Sequence, residues 1–147
     1  MKTTLLFVIL GVAADLPSVA HTDDKIVKAE ELPLPGFFIK EEDKKLLAEV
    51  PKDGVIAGPK AWAKLWKTWG GDGEAPKVDF EKELVLVAAG DGFANILTVE
   101  DLKLNDKGDL KFGWSITEID SPGIAVKFLK VSREGVQTVN GKELPKE

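Results

Sequence analysis

The residues best placed to do chemistry are Asp91, Phe93, Asn95, Asp120 and Ser121. They fall in or beside two polar stretches, 90–94 and 119–123, each set between runs that read as strands. If those strands run up and down in succession, the stretches become loops at one end of a sheet. That rim would hold two carboxylates beside an aromatic ring. Such a pair suits acid/base hydrolysis or a weak Ca²⁺ site. A structural reading competes with it. Asp91-Gly92 and Asp120-Ser121-Pro122-Gly123 are ordinary turn sequences, whose carboxylates accept local backbone N–H groups. Asp79 has the same reading, as a cap on Glu81 or Lys82, with an isolated catalytic carboxylate as its alternative. Asp106 and Asp109 flank a turn and need no further role.

The remaining catalytic vocabulary is missing. His21 is the single histidine and there is no cysteine, which argues against a Ser-His-Asp triad, a histidine general base and a conventional zinc site. No phosphate-binding glycine loop or dinucleotide fingerprint occurs. The sequence therefore assigns no catalytic, cofactor-binding or metal-binding residue. It leaves the five rim residues as a candidate binding site.

The elements that must position this rim begin with a helix over 59–69. Trp62, Leu65, Trp66 and Trp69 recur at helical spacing and line one face. Pro59 suits the first helical position, Gly58 the N-cap and Gly70-Gly71 the exit. Lys60, Lys64 and Lys67 turn outward, as a solvated surface or a docking stripe. The stripe of indoles reads as a plug on a sheet, with Trp62 and Trp66 over residues such as Leu86, Phe112 and Trp114. Its alternative is an aromatic ligand platform.

Leu84–Ala89 is apolar at every position, the mark of a strand covered on both faces. A helix covers one face, so a second sheet layer or a curled sheet must cover the other. Further strands are expected at 36–40, 55–57, 95–104, 109–118 and 124–131. The segment 41–50 reads as a helical turn or a strand. The parity slip between Val99 and Leu102 predicts a β-bulge there. Asn105-Asp106-Lys107-Gly108 is a tight turn, and Asn140-Gly141 closes a terminal hairpin through a type I′ turn. The fold class expected is α+β: a curled antiparallel β-meander, as a partial barrel or sandwich, carrying one Trp-rich helix.

Residues 1–20 read as a signal peptide. Lys2 starts it, Leu5–Ala14 is its apolar run, and Ser18-Val19-Ala20 fits cleavage before His21. That run is too short to span a bilayer. Residues 21–35 read as a flexible tether, leaving 36–147 as one domain. The expected location is exported, periplasmic or extracellular, and the absence of thiols suits a bacterial source. A net charge of −5 argues against nucleic-acid or anionic-membrane partners. Arg133 is the single arginine, so bidentate anion recognition is scarce.

The motifs Ala61-Trp62-x-x-Leu65-Trp66 and Pro76-x-Val78-Asp79-Phe80-x-Lys82-Glu83, followed by Leu84–Ala89, resemble the PrcB-like domain. That family is named for a component that stabilises a secreted protease complex, and the likeness covers roughly residues 54–131. Where the family tends to place a Gly-Gly-aromatic turn, this chain has Gly90-Asp91-Gly92-Phe93-Ala94-Asn95. The resemblance implies an exported, non-catalytic partner domain and carries over no catalytic residue. The expected function is therefore binding to another secreted protein, such as a protease, with no membrane span after signal cleavage. The alternatives are a small-ligand or carbohydrate binder using an exposed tryptophan, and a weak carboxylate-dependent hydrolase at the 90–94/119–123 rim.

Overall fold

The computed structural model describes residues 24–34, 46–69 and 73–146, with backbone alone at 91–96 and 118–123. Its centre is the apolar strand β4 (Glu83–Val99), which pairs antiparallel with β7 (Trp114–Ser132) from Glu83↔Ser132 to Val99↔Trp114. These two strands form the middle of a four-stranded sheet, with β2 (Ala29–Leu32) beside β7 and β3 (Val55–Ile56) beside β4. Alternate side chains of β4 enter different cores, as a strand apolar on both faces requires. Val85 and Val87 enter one cluster, and Leu84, Leu86 and Ala88 the other.

The first cluster lies under helix α1 (Pro59–Trp69). Gly58 accepts the first helical bond from Trp62 N (3.2 Å), as expected of an N-cap. Trp62, Leu65, Trp66 and Trp69 are buried against Leu32, Ile56, Val85, Val87 and Phe128. Trp62 Nε1 donates to Pro76 O (3.0 Å) and Trp66 Nε1 to Gly73 O (2.9 Å), so both indoles also tie down the chain leaving the helix. The expected contacts with Leu86, Phe112 and Trp114 are not made. Leu86 and Phe112 belong to the opposite cluster, because helix and strand meet at the odd-numbered positions of β4.

The second cluster is closed by a five-stranded sheet in the order β1 (Lys25–Ile26), β5 (Lys103–Leu104), β6 (Asp109–Lys111), β8 (Thr138–Val139), β9 (Lys142–Glu143). Leu102, Leu110, Phe112, Val136 and Val139 pack there with Leu84, Leu86, Leu129 and Val131. Helix, larger sheet and smaller sheet thus form three layers. Both sheets are open, so the sandwich form of the expected α+β architecture is the one adopted, not a barrel.

The β4–β7 ribbon itself doubles back. Ile116 pairs with Leu97, yet its Cδ1 occupies the space where a Cβ on Gly90 would stand. In a straight ribbon those levels would be separated by roughly 20 Å at about 3.3 Å per residue. The ladder's register shifts, between Gly92 and Ile96, mark the turn of the ribbon, and Leu97 and Ile116 come down on the second cluster.

Several expectations need correction. The meander of four strands at 84–89, 95–104, 109–118 and 124–131 is two long strands with short ones inserted between them. The bulge lies at 92–96, not at Val99–Leu102, where the strand ends and Leu102 enters the core. The strand over 109–118 breaks at Phe112-Gly113. The described part of the expected tether, 24–34, forms β1 and β2, one strand in each sheet. Its charges do not prevent this. Glu30 and Glu31 lie on an edge strand and pair with Lys130 (2.9 Å) and Lys127 (3.0 Å). Residues 46–49 form a turn of 3₁₀ helix. The signal peptide at 1–20, the strand at 36–40 and the Gly70-Gly71 exit lie outside the described residues.

Candidate functional site

The proposed rim is not made of loops. Both strands continue through 90–94 and 119–123: Asp91 pairs with Ile124, Gly92 and Phe93 both face Gly123, and Ala94 faces Glu118. The residues that spell turns also supply the permissive backbone of a bulge, which is why the sequence reads as two interruptions. The two stretches are neighbours, but at the bend of a ribbon. The side chains of Asp91, Phe93, Asn95, Asp120 and Ser121 lie outside the described residues.

Asp79 has the capping role expected of it. Its Oδ1 accepts from Glu81 N (3.2 Å), and its backbone oxygen from Lys82 N (2.8 Å) and Glu83 N (2.7 Å). Its own N–H donates to Glu83 Oε2 at 2.9 Å, so side chains at both ends of the turn bond its backbone. The Lys82 ammonium, 3.1 Å away, holds the Asp79 carboxyl below its usual range. Arg133 closes the same turn, donating from Nη1 to Phe80 O (2.9 Å) and from its backbone N to Lys82 O (2.8 Å).

Asp109 is the most heavily engaged carboxylate among the described residues. Its Oδ1 accepts from Thr138 Oγ1 and Gly141 N, both at 2.7 Å, and its Oδ2 lies 2.7 Å from Lys111 Nζ. The Lys111 bond first, then those from Gly141 and Thr138, lower its pKa to about 2. It ties β6 to the terminal hairpin, a role the sequence reading did not give it. The hint available was a short acceptor at the end of one turn, in a chain that later makes a second. Asn140 completes the junction. Its Oδ1 accepts from Phe112 N (3.0 Å) and its Nδ2 donates to Phe112 O (2.7 Å), replacing the strand ladder where it breaks. On the larger sheet, the Lys130 pKa is raised, chiefly by its bond with Glu30. Each of these shifts deepens the charged form, whereas a general acid or base is tuned towards neutrality.

The remaining tryptophan is different. Trp62, Trp66 and Trp69 are 3–6% exposed, which removes the helix as an open ligand platform, but Trp114 is 37% exposed. Its ring rests on that of Phe112, with centroids 5.1 Å apart. Phe112 and Gly113 also line an open groove of about 480 Å³ with Glu100, Asp101, Lys103, Lys111 and Asn140. Lys60, Lys64 and Lys67 stand exposed on the helix, and Lys64 lies 3.0 Å from Glu49.

Among the described residues, no group of three or more His, Cys, Asp or Glu is placed to hold a metal ion. Nor, among them, is any helix long and apolar enough to cross a membrane. No family model, curated protein or solved structure matches the chain.

Proposed function

We propose that this chain is an exported, non-catalytic binding domain that docks on a protein partner through the surface around Trp114. The observation that carries this reading is the division of the tryptophans: three are buried under one helix, and the fourth lies open on a supporting phenyl ring. An indole held this way offers a large, rigid contact area, the kind that dominates protein interfaces. The adjoining groove carries two carboxylates and two ammonium groups, which favours a mixed-charge polypeptide over a nucleic acid. Its resemblance to the PrcB-like domain, through the Trp-x-x-Leu-Trp helix and the Val-Asp-Phe-x-Lys-Glu segment, points the same way and suggests a secreted protease as the partner's class.

The test has three arms. Mass spectrometry of the exported protein should find an N-terminus at or near His21; an intact Met1 overturns the export reading. The mature chain should capture its partner from the envelope or medium, and Trp114→Ala should lose that capture while keeping the wild-type urea midpoint. Undiminished capture by Trp114→Ala moves the interface elsewhere. A second reading, a carbohydrate or small-ligand binder, rests on the same exposed indole beside carboxylates. Saturable quenching of Trp114 fluorescence by a sugar panel would favour it. Turnover of a glycoside or ester panel that is lost in Asp91→Asn/Asp120→Asn would replace both readings with the hydrolase.

A further inference from the structure

The Asn140-Gly141 dipeptide carries a reactivity that the fold opposes. In a free chain, the backbone nitrogen after an asparagine attacks the side-chain amide carbon, and glycine in that place obstructs the attack least. Here a bond would form from Gly141 N to Asn140 Cγ, the Cγ–Nδ2 bond would break, and ammonia would leave. The Gly141 amide proton passes to solvent, and the departing nitrogen takes a proton from solvent. One water then opens the resulting succinimide at either carbonyl, leaving aspartate or isoaspartate at 140.

Both reacting groups are restrained in the folded turn. Gly141 N donates to the Asp109 carboxylate at 2.7 Å, so the proton that must leave is held by a charge-assisted bond. The Asn140 amide is clamped at both ends, with Oδ1 on Phe112 N (3.0 Å) and Nδ2 on Phe112 O (2.7 Å). The turn itself, with φ of 50° at Asn140 and 77° at Gly141, sits in the type I′ geometry that fixes hairpin register. The dipeptide is nevertheless at the surface, with water at hand for the second step.

We propose that Asn140 is a latent deamidation site, masked by Asp109 and the Phe112 backbone, whose conversion irreversibly releases the C-terminal hairpin. A carboxylate at 140 has no N–H to give Phe112 O, and it places a second negative charge beside Asp109, with which Gly141 already bonds. Isoaspartate would also lengthen the backbone of a turn whose register admits no extra atom. The released residue is Phe112, whose ring both enters the second core cluster and supports Trp114.

Peptide mapping by mass spectrometry on the full chain tests the mask. The urea-unfolded chain should convert at residue 140 at least about tenfold faster than the folded one, because reaction from the native state must await local opening. Equal rates overturn the proposal. Among folded variants, Asp109→Ala should accelerate conversion and Asp106→Ala should not; wild-type kinetics in a folded Asp109→Ala chain overturn the part assigned to Asp109. Should Asp109→Ala fail to fold, Asn140→Asp provides an arm that needs no deamidation. It should expose the Phe112 amide to faster hydrogen exchange, and unchanged protection there overturns the release.

Discussion

The indole of Trp62 meets the ring of Phe128 edge-on, with centroids 5.3 Å apart and planes at 87°. Phe128 is fully buried and also lies within 6.4 Å of Trp66 and 6.5 Å of Trp69, so one phenyl ring of β7 organises all three helical indoles. Edge-on aromatic packing adds to simple burial.

Trp66→Ala should therefore cost about 3–5 kcal/mol, from lost transfer energy and the cavity left behind. A domain of this size is stable by only about 5–15 kcal/mol, so the urea midpoint should fall sharply. Lys64→Ala loses only an exposed pair with Glu49 and should change stability by no more than about 0.5 kcal/mol. Paired urea melts followed by fluorescence check both; a Trp66→Ala chain as stable as wild type would return the helix to the role of a binding surface.

Gly54 should tolerate no side chain. Its φ is +63°, and an added Cβ would come within 2.9 Å of the Val87 carbonyl oxygen, which is backbone and cannot swing away. The left-handed conformation alone costs a non-glycine residue roughly 1–2 kcal/mol, and the clash adds to it. Gly54→Ala is expected to lower the urea midpoint by more than Gly141→Ala, where an added Cβ meets nothing within 4 Å despite a φ of +77°.

At Gly90 the obstruction is the tip of a side chain, so rescue is expected. Gly90→Ala drives a methyl towards Ile116 Cδ1 and should cost about 1–3 kcal/mol, the usual range for overpacking. In Ile116→Ala, the second substitution should cost less than it does alone, a non-additivity that a double-mutant cycle measures. Additive effects would show that the ribbon does not fold back as described.

Acid should loosen the terminal hairpin before it unfolds the rest. The Asp109 pKa falls from 3.8 to about 2 on folding, so its contribution is complete above pH 3.8 and is lost as the pH drops from there towards 2. The side chain is 14% exposed, and the loss is on the order of 1–2 kcal/mol at about 1.4 kcal/mol per pH unit. Urea melts between pH 5 and 2 should show an extra fall in stability in wild type that Asp109→Asn lacks.

Much of this fold is legible in the chain because local and global signals agree there. The helix over 59–69 has its period and its start written in Gly58, Pro59 and the tryptophans. Leu84–Ala89 announces two covered faces, and Asn140-Gly141 announces its hairpin. The β4–β7 ribbon is not legible, because Gly92 and Gly123 serve a bulge as well as they would serve a turn. The N-terminal strands are hidden for a different reason. Glu30 and Glu31 look like solvated linker until Lys130 and Lys127, far along the sequence, stand opposite them. Trp114 could be read as one more core residue of an alternating strand, and only the break at Phe112-Gly113 leaves it half outside.

The pairing of β2 with β7 also sets an order of events. Leu32 lies opposite Phe128 and Lys25 opposite Leu104, so the first described strands close their ladders only with segments made much later. Contacts this distant in sequence delay folding, since a long loop must close before any of them contributes. Neither sheet can be completed until strands as late as β7 (to Ser132) and β9 (to Glu143) have been made. Until β5 and β7 emerge, the N-terminal strands β1 and β2 lack the strands they pair with.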